Sequence, residues 1–165
     1  MNIGKTKAYA ILVFGAPMSG KTTFAEHFSD SLNAPFYNFP KLAEEYKVDH
    51  ALALEILKIA AKSKDTIIVE GEMDTEEKRK ELRDLFTKAG YKTVLIWVQT
   101  DLNAIKQRMR HHYKKLDEAK AALKESYENI EAPNESEEPL VISGKHTYQT
   151  QCKNVLSRLP GLKDE

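Results

Sequence analysis

The chain has 165 residues, 41% of them hydrophobic and 30% charged, and its 25 basic and 25 acidic side chains leave a formal net charge of +0. This balance excludes a disordered polyelectrolyte and a protein that holds nucleic acid by overall positive charge, though not one with a local basic patch. The length suits one compact domain spanning residues 1–165, and a lone cysteine, Cys152, excludes an internal disulfide or a thiolate metal centre and is expected to be a small packed residue.

Residues 1–7 are short and polar, with two lysines. The apolar run behind them is too short for a signal peptide or a membrane span, so a cytoplasmic protein with no membrane partner is expected. That run, Tyr9 to Phe14, reads as a buried strand. It leads directly into Gly15-Ala16-Pro17-Met18-Ser19-Gly20-Lys21-Thr22, which satisfies G-x-x-x-x-G-K-[ST] at every fixed position. Phe24, Ala25, Phe28 and Leu32 then recur at helical spacing, predicting a helix over Lys21–Leu32.

A strand, a glycine-containing loop and a helix start in this order form a phosphate cradle. Glycine lets the backbone curl around an anion, and the curled amides form a concave nest of N–H donors. The helix start adds unpaired N–H groups and the positive end of its dipole. Lys21 is expected to reach the β- and γ-phosphates and to face solvent in the free protein. The Thr22 hydroxyl is expected to hold Mg²⁺, and Thr23 closes the binding stretch. The ligand is therefore a nucleoside triphosphate, taken as ATP.

Pro35–Phe39 is a plausible short second strand, with Phe36, Tyr37 and Phe39 read as core in preference to an acceptor pocket. Leu52, Ile56, Leu57 and Ala60 mark an amphipathic helix capped by Asp49. Thr66–Val69 is a third strand ending at Glu70-Gly71. Asp74 and Glu77 suggest a capping box for a helix burying Leu82, Leu85, Phe86 and Ala89, with Gly90 as its stop. Thr93–Val98 is the fourth strand, its Trp97 read as core.

An insertion from about Asp101 to Pro139 follows. Its first half is helical and basic, with Lys106, Arg108, Arg110, His111, His112, Lys114 and Lys115, and an apolar stripe of Leu102, Ile105, Met109, Leu116 and Leu123. Its second half, Glu128–Glu138, is acidic and ends in Pro139. His111 and His112 are adjacent and face different sides of a helix, so no metal is expected there. Leu140–Ile142 is the fifth strand. A last helix from about Thr147 to Leu159 buries Val155, Leu156 and Leu159 before Pro160-Gly161. Alternating strands and helices argue for an α/β fold with a parallel sheet.

With its phosphate loop, its Glu70-Gly71 strand end and its arginines after the fourth strand, the chain resembles the P-loop kinases. Within them it is similar to the small phosphotransferases related to polynucleotide 5′-hydroxyl kinase and the AAA-type ATP-binding kinases. The resemblance implies a three-layer fold with a five-stranded parallel sheet, the phosphate-loop strand central, and residues 101–139 as a helical lid. It implies that Arg108 or Arg110 meets the transferred phosphoryl group. Two residues apart on one helix, they point in different directions, so one of them is expected to do so. It implies that Glu70 orients water on Mg²⁺ or touches the substrate. Gly144-Lys145 sits where such enzymes contact the base.

Hydroxyl kinases use a carboxylate to orient the acceptor, an Asp just after the second strand in the resembling family. Here that stretch reads Asn38-Phe39-Pro40-Lys41-Leu42, with no acid, and Glu44, Glu45 and Asp49 follow it. Nucleoside monophosphate kinases grip their acceptor with arginines, and the chain has none before Arg79. The expected activity is ATP-dependent transfer of the γ-phosphate to a hydroxyl, on a small molecule or at a polynucleotide 5′ end. The alternative is a module that binds or hydrolyses ATP and signals to a partner.

Overall fold

The computed structural model describes residues 8–112, 115–159 and 161. Its strands are β1 (Tyr9–Gly15), β2 (Phe36–Asn38), β3 (Ile67–Glu70), β4 (Lys92–Gln99) and β5 (Leu140–Ser143). All pair in parallel, in the order β2-β3-β1-β4-β5. The central position of β1 explains its composition. All seven of its residues are buried, as expected of a strand covered on both faces.

Helices α1 (Lys21–Leu32) and α7 (Tyr148–Leu156) cover one face, while α3 (His50–Ala60) and α4 (Glu76–Lys88) cover the other. On the first face Ile11 and Val13 meet Phe24, Phe28 and Val155. On the second, Ala10, Leu12 and Phe14 meet Leu57, Leu82 and Phe86. The period-2 alternation of β1 thus sends successive residues into two separate cores. Trp97 packs against the second core and Cys152 is buried in the first.

The structure departs from the sequence reading in four places. The second strand stops at Asn38, and Phe39, read as its last residue, opens helix α2 (Phe39–Tyr46), to which the sequence reading assigned no element. Asn38 caps it by accepting a hydrogen bond from Lys41 N at 3.2 Å, and Pro40 fits its first turn, where no N–H is needed. Helix α4 is capped by Thr75, whose hydroxyl accepts from Lys78 N at 3.2 Å, and not by Asp74. The last helix begins after its cap Thr147 and ends at Leu156, with a looser turn carrying the chain to the buried Leu159. The insertion forms two helices, α5 (Leu102–His112) and α6 (Leu116–Glu128).

Of the expected apolar stripe, Ile105 and Met109 are buried and Leu102 is exposed. The readings of Lys114 and Pro160, and of the side chains of Leu116 and Leu123, lie outside what is described. Asp49 does cap α3, accepting from Leu52 N at 2.8 Å. No helix among the described residues is long and apolar enough to cross a membrane.

Candidate active site at the phosphate loop

Residues 16–20 bridge the carboxyl end of β1 to the first residue of α1. Two of them lie in the left-handed region: Met18 at φ 64° and Gly20 at φ 97°. Glycine at the second position removes the Cβ penalty that this geometry imposes. Met18 carries that penalty and is held by its surroundings. Its side chain and Ala16 pack against Ile105 and Met109 of α5. Its carbonyl accepts a hydrogen bond from Arg108 Nη1 at 2.8 Å. The Ser19 carbonyl accepts from Thr100 Oγ1 at 2.7 Å.

Gly144 closes over the same loop from the end of β5. A Cβ there would stand 1.9 Å from the Ser19 carbonyl oxygen and 2.1 Å from Thr100 Oγ1, so only glycine fits. The Gly144 carbonyl accepts from Arg108 Nη2 at 2.9 Å. One guanidinium therefore ties α5 to both the phosphate loop and the β5 loop. Lys145 adds an ion pair to Asp101 at 2.6 Å, beside the start of α5.

Lys21 and Thr22 open α1 in the midst of these contacts. The Lys21 ammonium donates to the Ala16 carbonyl at 3.2 Å. It is half-buried, not solvent-facing as expected, because the loop wraps around it. Burial lowers its pKa, opposed by the negative charges of Glu70 and Asp74. The Thr22 hydroxyl donates to Glu70 Oε1 at 2.6 Å. Glu70 ends β3, in register with Val13 of β1 and Asn38 of β2. It is 2% exposed, and burial raises its pKa against the opposing hydrogen bond from Thr22 and the charge of Lys21. Lys21 and Glu70 form no direct ion pair. The site thus holds a cation and an anion, each partly stripped of water and each without a charged partner in contact among the described residues.

The predicted residues separate as follows. Lys21, Thr22, Thr23, Gly20, Met18 and Arg108 line one cavity of about 460 Å³, together with Gly144, His146, Tyr148 and Gln151. Glu70 reaches Thr22 from the other side of the loop. Arg110 is exposed on α5 and lines no part of that cavity, since two residues of helix turn it about 200° from Arg108. Gly15 and Ser19 pack together beneath the loop: a Cβ on Gly15 would lie 2.7 Å from both Ser19 Oγ and the Val98 carbonyl. Ala16 opens a turn through Pro17 that closes with the hydrogen bond from Ser19 N to the Ala16 carbonyl at 3.1 Å. The wall formed by His27, His146, Tyr148 and Gln151 carried no motif legible in the sequence. Of these, Tyr148 packs edge-on to His27 at 4.9 Å between ring centroids.

The donor set suits a hard divalent cation. Glu70 Oε2 is buried with no hydrogen-bond partner among the described residues, and Thr22 supplies a neighbouring hydroxyl. Oxygen donors of this kind, completed by phosphate and water, are what Mg²⁺ takes. Among the described residues no cluster of three or more His, Cys, Asp or Glu could hold a metal by itself.

No protein-family model matches the chain, and no curated protein sequence matches it. Solved structures do. A gluconokinase from Sinorhizobium meliloti 1021 superposes with a TM-score of 0.68 at 15% identity, over 93% of this chain and 92% of its own. The APS kinase of Mycobacterium tuberculosis, solved with AMPPNP and APS, gives 0.68 at 16% identity, over 93% of this chain and 98% of its own. Kti12 of Chaetomium thermophilum, solved with ADP-AlF3, gives 0.66 at 16% identity, over 92% of this chain and 100% of its own. The fold is that of the P-loop kinases.

Proposed function

We propose that the protein is an ATP-dependent phosphotransferase that uses Mg²⁺ and moves the γ-phosphoryl group of ATP to a hydroxyl. The observation that supports this reading is the convergence of Lys21, Thr22, Glu70 and Arg108 on one loop at the carboxyl edge of the sheet. In open α/β sheets that edge is where ligands bind. The structural neighbours solved in complex with AMPPNP or ADP-AlF3 support a nucleotide as the ligand.

The loop amides and the start of α1 would hold the phosphate oxygens, and Lys21 would add a charge whose desolvation an anion relieves. Thr22 and Glu70 would hold the metal. Mg²⁺, when bound, would offset the negative charge that develops during transfer. Arg108 is the lid cation nearest the loop, and it would shift from the Met18 carbonyl toward the phosphates. Arg110, on the exposed side of the helix, is left out of this role. The acceptor hydroxyl belongs to a small molecule or to a polynucleotide 5′ end, in a cytoplasmic enzyme acting as a single domain.

A second reading draws on one observation. At the end of β2, where an acceptor-orienting acid would sit, the chain has Asn38, and its side chain is committed to capping α2. That favours a module that binds or hydrolyses ATP and signals to a partner. The separating experiment follows labelled γ-phosphate in the presence of Mg²⁺ and a panel of sugars, sugar acids, nucleosides and a 5′-hydroxyl oligonucleotide. Transfer to any of them establishes the kinase. Binding of ATP with no acceptor raising its consumption establishes the module.

A further inference from the structure

An all-parallel sheet is ordinarily covered on both faces, and this one is open at one corner. On β4 and β5, Ile96, Val98, Leu140 and Ile142 are buried in the first core. The alternate residues take the opposite face. There Trp97 stands in register with Val141, and Gln99 with Ser143. Val141 is 43% exposed, while Leu140 and Ile142 on either side of it are buried. The result is a ladder of two same-face pairs, the first apolar and the second polar. It ends at the carboxyl edge, where open α/β sheets bind ligands.

This corner forms a cavity of about 580 Å³, within the range of small-molecule sites. Ala16 lines it too. The Ala16 carbonyl accepts from the Lys21 ammonium, so the cavity reaches the phosphate loop. Yet its lining shares no residue with the cavity of Lys21, Thr22 and Arg108. The loop therefore stands between two cavities, one of which holds the residues assigned to the nucleotide.

Tyr127, near the end of α6, lines the second cavity as well. The segment that follows it is anchored from α4. Ile130 packs against the second core. Glu131 N donates to the Asp74 carbonyl at 2.8 Å. The Met73 and Glu131 carbonyls both accept from Nη1 of Arg79, each at 2.9 Å. Arg79 is 0% exposed and is paired through Nε and Nη2 with both oxygens of Glu137, at 2.7 and 3.1 Å.

Charge decides the class of ligand. Lys145 is the one cation of this lining, and Asp101 neutralises it at 2.6 Å. A polynucleotide needs cations that track its phosphates, and the lining offers none unpaired. It suits a neutral molecule rich in hydroxyls. The Gln99 amide can donate and accept, and it has no side-chain partner among the described residues. The Ser143 hydroxyl accepts from Lys145 N at 3.2 Å and keeps its own proton to donate. Trp97, Tyr127 and Val141 give apolar surface on which the C–H face of a sugar ring can pack.

We infer that this second cavity is the acceptor site, and that the acceptor is a neutral, polyhydroxylated small molecule of monosaccharide or nucleoside size and not a polynucleotide. This rests on the phosphotransferase reading. In the step it serves, an acceptor hydroxyl oxygen bonds to the γ-phosphorus. The bond from the γ-phosphorus to the β–γ bridging oxygen breaks, its electron pair leaves on ADP, and the hydroxyl proton passes to water.

Trp97 is the only tryptophan of the chain, so its fluorescence reports on this cavity. Glycerol, glucose, ribose, adenosine, gluconate and a 5′-hydroxyl oligonucleotide are each titrated into the protein with Mg²⁺ and the non-hydrolysable AMPPNP. Transfer of labelled γ-phosphate from ATP to each is followed in parallel. At least one neutral probe is expected to change the Trp97 emission and to accept phosphate. Gluconate and the oligonucleotide are expected to do neither. Gln99→Ala is expected to raise KM for that neutral probe about two- to tenfold, the weight of one hydrogen bond. Val141→Phe, which narrows the cavity, is expected to raise it as well. In both variants the affinity for AMPPNP is expected to change less than twofold. Transfer to gluconate or the oligonucleotide in preference to every neutral probe overturns the inference and leaves the phosphotransferase reading standing. So does transfer to a neutral probe whose KM is the same in wild type and both variants. Binding of AMPPNP with transfer to no probe overturns the phosphotransferase reading, and the inference with it.

Discussion

The two sides of the site are built by different means. The phosphate loop is local: residues 15 to 22 sit consecutively between β1 and α1, and their conformation follows from glycine placement and the start of a helix. The opposite wall, from Glu70 to Asp74, is assembled from a distance. Its order depends on Arg79 of α4 and on Glu131 and Glu137 near the far end of the 101–139 insertion, 52 to 58 residues away from Arg79 in sequence. Local construction gives a site that survives loss of one side chain. Remote construction makes one wall as fragile as its most expensive contact. Variants on the two sides should therefore fail differently, the first in chemistry and the second in folding.

The largest effect is expected on the remote side. Arg79→Met leaves the buried Glu137 carboxylate with only Arg83, at 3.5 Å, as a cationic partner, and breaking a buried pair costs up to about 3–5 kcal/mol. The urea midpoint should fall accordingly. A double variant, Arg79→Met with Glu137→Leu, should recover much of the loss. Next comes Lys21→Ala on the local side. Loss of one positioned donor to developing charge lowers turnover by about 10²–10³-fold, while stability should hold or rise, because burial disfavours the ammonium in the free protein. Parallel urea and hydrolysis measurements on the two variants sharpen the contrast. If Lys21→Ala unfolds as readily as Arg79→Met, the contrast is broken.

Gly144→Ala tests the seam between the phosphate loop and the end of β5. The added Cβ would run into backbone at the Ser19 carbonyl, and overpacking of this kind costs about 1–3 kcal/mol. Gly90→Ala is the matched comparison. It too has a positive φ, 89°, yet nothing lies within 4 Å of its Cβ, so it should show backbone strain alone and leave nucleotide affinity unchanged. Gly144→Ala should lower that affinity as well, since it displaces Ser19 within the loop.

Legibility in the sequence follows the same division. The order of strands and helices was readable because each strand is a short apolar run and each helix repeats its apolar face within a dozen residues. The phosphate loop was readable because its residues are contiguous. Helix α2 was missed although Asn38 and Pro40 are a cap and a first-turn proline, because eight residues give too few turns for periodicity to register. Arg79 and Glu137 read as two more charges on polar segments. Nothing local distinguishes a buried ion pair from a solvated one when the partners are 58 residues apart. The separation of Arg108 from Arg110 was readable as a direction, since helix geometry turns them apart, but the choice between them needed the docking of Ile105 and Met109 on the loop.

The smallest effect is the most specific to the remote wall. His50, at the start of α3, is clasped between Glu72 at 2.5 Å and Glu81 of α4 at 2.7 Å, with Lys78 4.0 Å from Glu72. Burial works against the charged ring, yet the hydrogen bonds to Glu81 and Glu72 and the charges of both carboxylates outweigh it, so the pKa is raised. A histidine with a folded pKa above its unfolded one adds stability that is fully present below the unfolded value. That stability is lost as the pH rises through the folded value. The melting temperature should therefore fall as the pH rises above about 6.5, the ordinary histidine value, and His50→Gln should remove that part of the fall. Glu72 is the better shielded partner, its side chain 17% exposed against 48% for Glu81. Solvent screens the more exposed carboxylate more strongly, so Glu72→Gln should flatten the profile more than Glu81→Gln. Equal slopes in wild type and His50→Gln would mean that the clasp works through contact and not through charge, and that the wall beside Glu70 keeps its shape across the whole range.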